Sequence, residues 1–161
     1  MIDFDRIRFA LFDFDYTLAV HTEHVWNECI AKRQLVAAAA GKLYEAGTLR
    51  VSYDLKTFVA LCKDHNVRLG LISATGFAPR VEQKMRWVEE HYGVRMQNYC
   101  VGSVAEKPGA IEAIRQAKRF CSDEILLVDD YYKALSEASK LGIQVASPAE
   151  VSIFLRDNGY V

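Results

Sequence analysis

The apolar positions of the chain follow two rhythms. Residues 8–14 (RFALFDF), 67–73 (VRLGLIS) and 124–129 (EILLVD) are short, nearly continuous apolar runs. Runs of that length without a polar face predict strands buried on both sides. Between them, apolar residues recur every three or four positions, which is the helical rhythm. Over residues 22–46 the recurrence takes in Val25, Trp26, Cys29, Ile30, Leu35, Val36 and Leu43, with Gly47 as a stop. Residues 54–65, 79–91, 108–120, 133–141 and 149–158 predict further helices. Pro79 and Pro108 fall in first turns and Gly93 just past a helix end, positions that favour these residue types. Residues 95–101 are a weaker strand candidate and 143–146 a short strand. Strands alternating with helices predict an α/β fold, a three-layer sandwich around a mostly parallel sheet.

Composition narrows the function classes. The chain has 161 residues, a one-domain length, with 51% hydrophobic and 25% charged residues. That balance excludes a disordered or collagen-like chain. Lys plus Arg number 20 against 21 for Asp plus Glu, so there is no strong nucleic-acid footprint and no broad electrostatic attraction to an acidic membrane, which leaves room for a local basic patch alone. The N-terminal run carries acids inside its apolar stretch, which suits neither a signal peptide nor a membrane-spanning helix. Cys29, Cys62, Cys100 and Cys121 are far apart and form no CxxC pair. They are expected to fill core space as reduced thiols in a cytoplasmic setting. With bulk charge uninformative, the chemistry must reside in a few placed residues.

In a parallel α/β sheet, ligands gather where the strands end. The first strand ends at Asp13, Asp15 and Thr17, and the second at Ser73, Ala74, Thr75 and Gly76. Lys107 precedes the helix that Pro108 opens, and the third strong strand ends at Asp129 and Asp130. Carboxylates crowded on one edge repel unless a hard cation joins them, and Mg²⁺ suits such oxygen ligands. Asp13, Asp129 and Asp130 with Mg²⁺ would hold a phosphate, Ser73 would donate to its oxygens, and Lys107 would neutralise further charge. A carboxylate beside that phosphate can attack phosphorus. Asp15 could protonate the leaving alcohol and then activate water.

These residues resemble a known family. Asp13-Phe14-Asp15-Tyr16-Thr17-Leu18, Ser73, Lys107-Pro108 and Leu126-Leu127-Val128-Asp129-Asp130 are similar to the four motifs of the haloacid dehalogenase superfamily, in that family's order. The resemblance implies a Rossmann-like core and a Mg²⁺-dependent phosphomonoester hydrolase that forms an aspartyl-phosphate. It makes Asp13 nucleophile and metal ligand, and Asp15 general acid/base and, through its main-chain carbonyl, metal ligand. Ser73, Ala74 and Lys107 become phosphate-binding positions, and Asp129 and Asp130 complete the metal set. An acid at Asp15 points to the phosphatase and phosphomutase branches. The implied partner is a small phosphorylated substrate. The run at residues 84–93 (KMRWVEEHYG) faintly resembles a helix of deoxyribonucleotidase-like members, which adds a nucleotide to the candidates.

Two positions depart from the family pattern. Tyr16 stands where many members have Gly, and Ala134 where members carry an Asp or Asn that orients the metal shell. Loss of such a supporting group weakens metal binding by ~10–100-fold. Ala134 therefore motivates an alternative, a catalytically weak or inactive module of the same fold that binds a phosphorylated ligand or a protein partner. A receiver domain also uses acids, a hydroxyl and a lysine, but there the lysine comes last, whereas here an acid pair follows Lys107. Residues 19–52 are where the family inserts its cap, and their length predicts a small helical one. His21, His24 and Glu28 have metal-compatible helical spacing within it but are expected at a solvated helix start. Arg80, Lys84 and Arg86 are expected on a solvated helix face, and Trp26 and Trp87 in the core.

Overall fold

The structure, a computed structural model, describes residues 2–21 and 49–161. The helix expected over residues 22–46, with His24, Trp26, Glu28 and Cys29, lies outside the described residues. Five parallel strands form the sheet: Phe9–Phe12 (β1), Arg68–Leu71 (β4), Gln97–Asn98 (β5), Ile125–Val128 (β6) and Gln144–Ala146 (β7). Ala19–His21 (β2) and Leu49–Val51 (β3) form a separate antiparallel pair at the two ends of the expected cap insertion. Among the described residues the α-helices are Tyr53–Asp64 (α1), Ala78–Tyr92 (α2), Lys107–Lys118 (α3), Tyr132–Ser139 (α4) and Pro148–Asp157 (α5).

The sheet order is β5-β4-β1-β6-β7. Counted along the parallel strands this is the Rossmann-type order, with the first strand central, and differs from the flavodoxin-like order of receiver domains. All four residues of β1 and of β6 are buried, as their continuous apolar runs predict. Their side chains alternate between two cores. Ala10, Phe12, Leu126 and Val128 meet α1, α2 and α5, whereas Phe9, Leu11, Ile125 and Leu127 meet α3 and α4. Each fully buried Phe or Leu contributes about 1.5–3 kcal/mol of transfer free energy. Rigid strands with helices on both sides thus hold the loops at the strand ends.

Helix ends follow the expected chemistry. The Ser52 hydroxyl accepts from Leu55 N at the start of α1, and Ser147 and Glu150 form a capping box on α5. Gly93 closes α2 with φ +67°, its N–H donating to the Glu89 carbonyl. The cysteines diverge from expectation. Cys62 is buried, but Cys100 is half-buried and Cys121 exposed, and all three are free thiols. Cys121 sits in the surface turn that leads into β6; among the described cysteines Cys62 fills core space, Cys100 packs against the core from a half-buried position, and Cys121 does neither. No helix among the described residues is long and apolar enough to cross a membrane.

Candidate active site

Register builds the site. Phe12 pairs with Leu71 on one side and Val128 on the other. The next residue on β1 is Asp13 and on β6 is Asp129, so the two acids stand level on neighbouring strands. The Asp13 N–H donates to the Val128 carbonyl at 2.9 Å and fixes that alignment. One oxygen of each of Asp13, Asp129 and Asp130 lies within 4.8 Å of the others. Lys107, at the first turn of α3, reaches between them, with Nζ 2.9 Å from Asp13 Oδ1 and 2.6 Å from Asp129 Oδ2. Asp129 Oδ1 accepts from Tyr131 N at 2.8 Å. Thr17, fully buried, ties the two acid loops together: its hydroxyl accepts from Asp130 N at 3.1 Å.

After Asp13 the chain turns tightly. The Tyr16 N–H donates to the Ala19 carbonyl and the Ala19 N–H to the Phe14 carbonyl. Tyr16 carries φ +59°, a left-handed conformation that costs a side-chain-bearing residue roughly 1–2 kcal/mol. That is the physical reason glycine suits this position. The Tyr16 ring lies 4.8 Å from the His21 ring, centroid to centroid.

Beyond β4, the Ser73 carbonyl and the Thr75 N–H bond to Val101 as an isolated parallel bridge around Ala74. The Ala74 N–H takes no part in that bridge. The Ser73 hydroxyl, 1% exposed as a residue, receives a bond from Lys84 Nζ at 2.8 Å. The same ammonium donates to Asp15 Oδ2 at 2.7 Å and to Thr75 Oγ1 at 2.7 Å. Asp15 Oδ1 lies 2.9 Å from His21 Nε2.

Two expectations are corrected here. Lys84 is fully buried, not on a solvated face; of its companions, Arg86 is exposed and Arg80 half-buried. On α2, Lys84 shares its stripe with Trp87, Val88 and Tyr92, a spacing of three, four and eight residues that could have marked it. His21 ends a strand rather than starting a helix, and its side chain is 4% exposed. Its tie to Asp15 takes it out of solvent. Trp87 packs in the core, against Phe14.

The electrostatics separate the acids. Burial, reinforced by Asp129 and Asp15 and opposed by Lys107, pushes the Asp13 carboxyl up to about 6. Burial also pushes Asp15 upward, but the His21 bond and the Lys84 ammonium outweigh it and hold this carboxyl at about 2. Burial and the Asp129 charge raise Asp130 above its ordinary value. Burial alone would lower the Lys107 ammonium, yet Asp13 and Asp129 hold it above its ordinary value. Four carboxylates therefore face two ammonium groups on one sheet edge.

No protein-family model matches the sequence, and neither does any curated protein sequence. Solved structures do match. CbbY from Rhodobacter sphaeroides, in complex with phosphate, superposes with a TM-score of 0.65 at 16% identity, over 88% of this chain and 85% of that one. The chain has the haloacid dehalogenase fold. A haloacid dehalogenase superfamily hydrolase from Ehrlichia chaffeensis matches with a TM-score of 0.60 at 9% identity, over 94% of this chain and 97% of that one. A family enzyme from Bacteroides thetaiotaomicron, solved with magnesium and inorganic phosphate, gives 0.56 at 13% identity, over 88% and 93%. In this fold the residues that resemble the four family motifs lie on one edge of the sheet, since each follows the end of β1, β4 or β6 or opens α3. Ala134 is buried on α4 and offers only a methyl group.

Proposed function

We propose that the chain is a Mg²⁺-dependent phosphomonoester hydrolase acting through an aspartyl-phosphate on Asp13. The observation that carries this reading is the convergence of Asp13, Asp129 and Asp130 around Lys107, with Ser73 and Asp15 joined through Lys84 on the same edge. The donor set fits a hard divalent cation: it consists of carboxylate oxygens, and it leaves negative charge in excess of the two ammonium groups. Asp13, Asp129 and Asp130 would hold Mg²⁺, with the main-chain carbonyl of Asp15. When bound, the ion would polarise the phosphoryl group and neutralise its charge.

The remaining steps belong to this chain's own side chains. Asp13 bonds to phosphorus as the bond from phosphorus to the ester oxygen breaks, and Asp15 gives that oxygen a proton. Asp15 then takes a proton from water as the water oxygen attacks the aspartyl-phosphate, which releases inorganic phosphate and restores the Asp13 carboxylate. Lys107 offsets the charge of Asp13 and of the phosphoryl oxygens. The Ser73 hydroxyl and the Ala74 N–H donate to those oxygens. The described arrangement has both Asp15 oxygens bonded and its carboxyl ionised, the form the water-activating step requires. To serve as acid, Asp15 must first take up a proton from solvent at Oδ1, exchanging His21 there for the leaving oxygen. A small phosphorylated metabolite, a nucleotide among the candidates, is the proposed substrate, and residues 19–52 are the proposed small cap.

Ala134 favours a second reading, a module of this fold that binds a phosphorylated ligand or protein with weak or no turnover. Hydrolysis of p-nitrophenyl phosphate and a nucleotide panel with Mg²⁺, compared between the natural chain and Asp13→Asn, separates the two. Turnover lost on substitution supports the enzyme, and no turnover by the natural chain supports the binding module.

A further inference from the structure

Lys84 is the feature of this site that the family motifs do not contain. An ammonium in a protein interior is costly unless every proton finds a partner. Lys84 is 0% exposed, and its three protons are matched by three oxygens: Asp15 Oδ2 at 2.7 Å, Ser73 Oγ at 2.8 Å and Thr75 Oγ1 at 2.7 Å. It therefore has no donor left for a phosphate, unlike a lysine that neutralises substrate directly. Its position on the stripe with Trp87 and Val88 anchors it to the core.

We infer that Lys84 is a positioning residue that sets the working geometry of Asp15 and Ser73 without touching substrate. This inference rests on the phosphatase reading. Two consequences follow from the bonds. Ser73 Oγ accepts from Lys84 and, at 3.4 Å, from the Thr75 hydroxyl. Both lone pairs are engaged, so its hydrogen is the polar function that remains, turned away from Lys84 and available to a phosphoryl oxygen. Asp15 is held from two sides of unequal stiffness. Oδ2 is bound to an ammonium locked in the core, whereas Oδ1 meets His21 at the end of a three-residue strand. Oδ1 is thus the oxygen that changes partners and moves the proton, and Oδ2 is the anchor. Misplacement of such a group by about 1 Å can cost on the order of 100-fold in rate.

A lysine that merely stabilised the fold would affect all substrates alike. One that acts through the general acid should matter more for a poor leaving group. The test compares the natural chain with Lys84→Met, with Mg²⁺, on phenyl phosphate and on p-nitrophenyl phosphate, whose leaving group needs less protonation. The expected loss in kcat is on the order of 100-fold for phenyl phosphate and about 10-fold or less for p-nitrophenyl phosphate. Introduced into Asp15→Asn, the same substitution should cost less than it does in the natural chain on p-nitrophenyl phosphate, because the share transmitted through Asp15 is already lost and only the share through Ser73 remains. Equal losses on both esters, or a loss fully multiplicative with that of Asp15→Asn, overturn the inference alone. If Lys84→Met does not fold, as judged by its melting transition, Lys84→Gln, which keeps two donors, is held to the same criteria. A natural chain that hydrolyses neither ester contradicts the phosphatase reading, and this inference falls with it.

Discussion

Asp13 and Asp15 stand two residues apart after the same strand, and their surroundings push their carboxyls in opposite directions, to about 6 and about 2. Asp13 faces Asp129 and shares Lys107 with it. Asp15 turns to Lys84 and His21 and has both partners on its own carboxylate. One backbone turn therefore separates a strained carboxylate from a satisfied one, and the stability of the metal-free protein should register the difference with opposite signs.

For Asp13 the folded-state value lies above the ordinary 3.8. The folded protein holds that proton more tightly than the unfolded chain, so stability falls as pH rises from about 4 to about 6. Above that window the ionised Asp13 is a standing cost. Asp13→Asn should raise the melting temperature of the metal-free protein at pH 7.5, by about 2–4 °C for each kcal/mol recovered. The gain should shrink towards pH 4. Thermal melts in chelator at the two pH values check this, and a lower melting temperature for Asp13→Asn at pH 7.5 would contradict it.

For Asp15 the folded-state value lies below the ordinary 3.8. Its contribution is present above about pH 4 and is lost as pH falls through about 2. Asp15→Asn should destabilise the protein at pH 7 by on the order of 2–3 kcal/mol, since Lys84 would be left buried without an anionic partner. Urea unfolding at pH 7 measures the loss, and the gap between the two proteins should narrow on acidification towards pH 2.

Asp130 is the exposed member of the acid triad, so its replacement should trouble the fold little while removing a metal oxygen. Mg²⁺ should raise the melting temperature of the natural chain through binding to the folded state. Asp130→Asn should weaken Mg²⁺ affinity at least about tenfold, on the scale of other losses around metal sites. Calorimetric titration reads both affinities. Absence of binding at millimolar Mg²⁺ would instead favour the binding module that Ala134 suggests.

Much of this architecture is legible in the sequence because buried parallel strands leave an unambiguous mark. The runs FALF and ILLV appear as fully buried strands, and the acids that follow them must emerge at the strand ends. Asp13, Asp129, Asp130 and Lys107 come together because register places the strand ends level and α3 begins beside them. Lys84 and His21 were less legible for a different reason. A lysine among Glu82, Gln83 and Arg86 reads as solvated, and only tertiary contact with Asp15, Ser73 and Thr75 reverses that. The one local signal was its place on the Trp87–Val88 stripe. His21 has no such signal, since its burial depends on a short hairpin and on Asp15 six residues earlier.

The central claim is that Asp13 accepts the phosphoryl group. Acid quenching of the natural chain during turnover of p-nitrophenyl phosphate with Mg²⁺, followed by peptide mass analysis, addresses it directly. The account predicts one phosphoryl group on Asp13, and in Asp13→Asn neither the adduct nor turnover. An Asp13→Asn protein that hydrolyses the ester at the natural rate would contradict it.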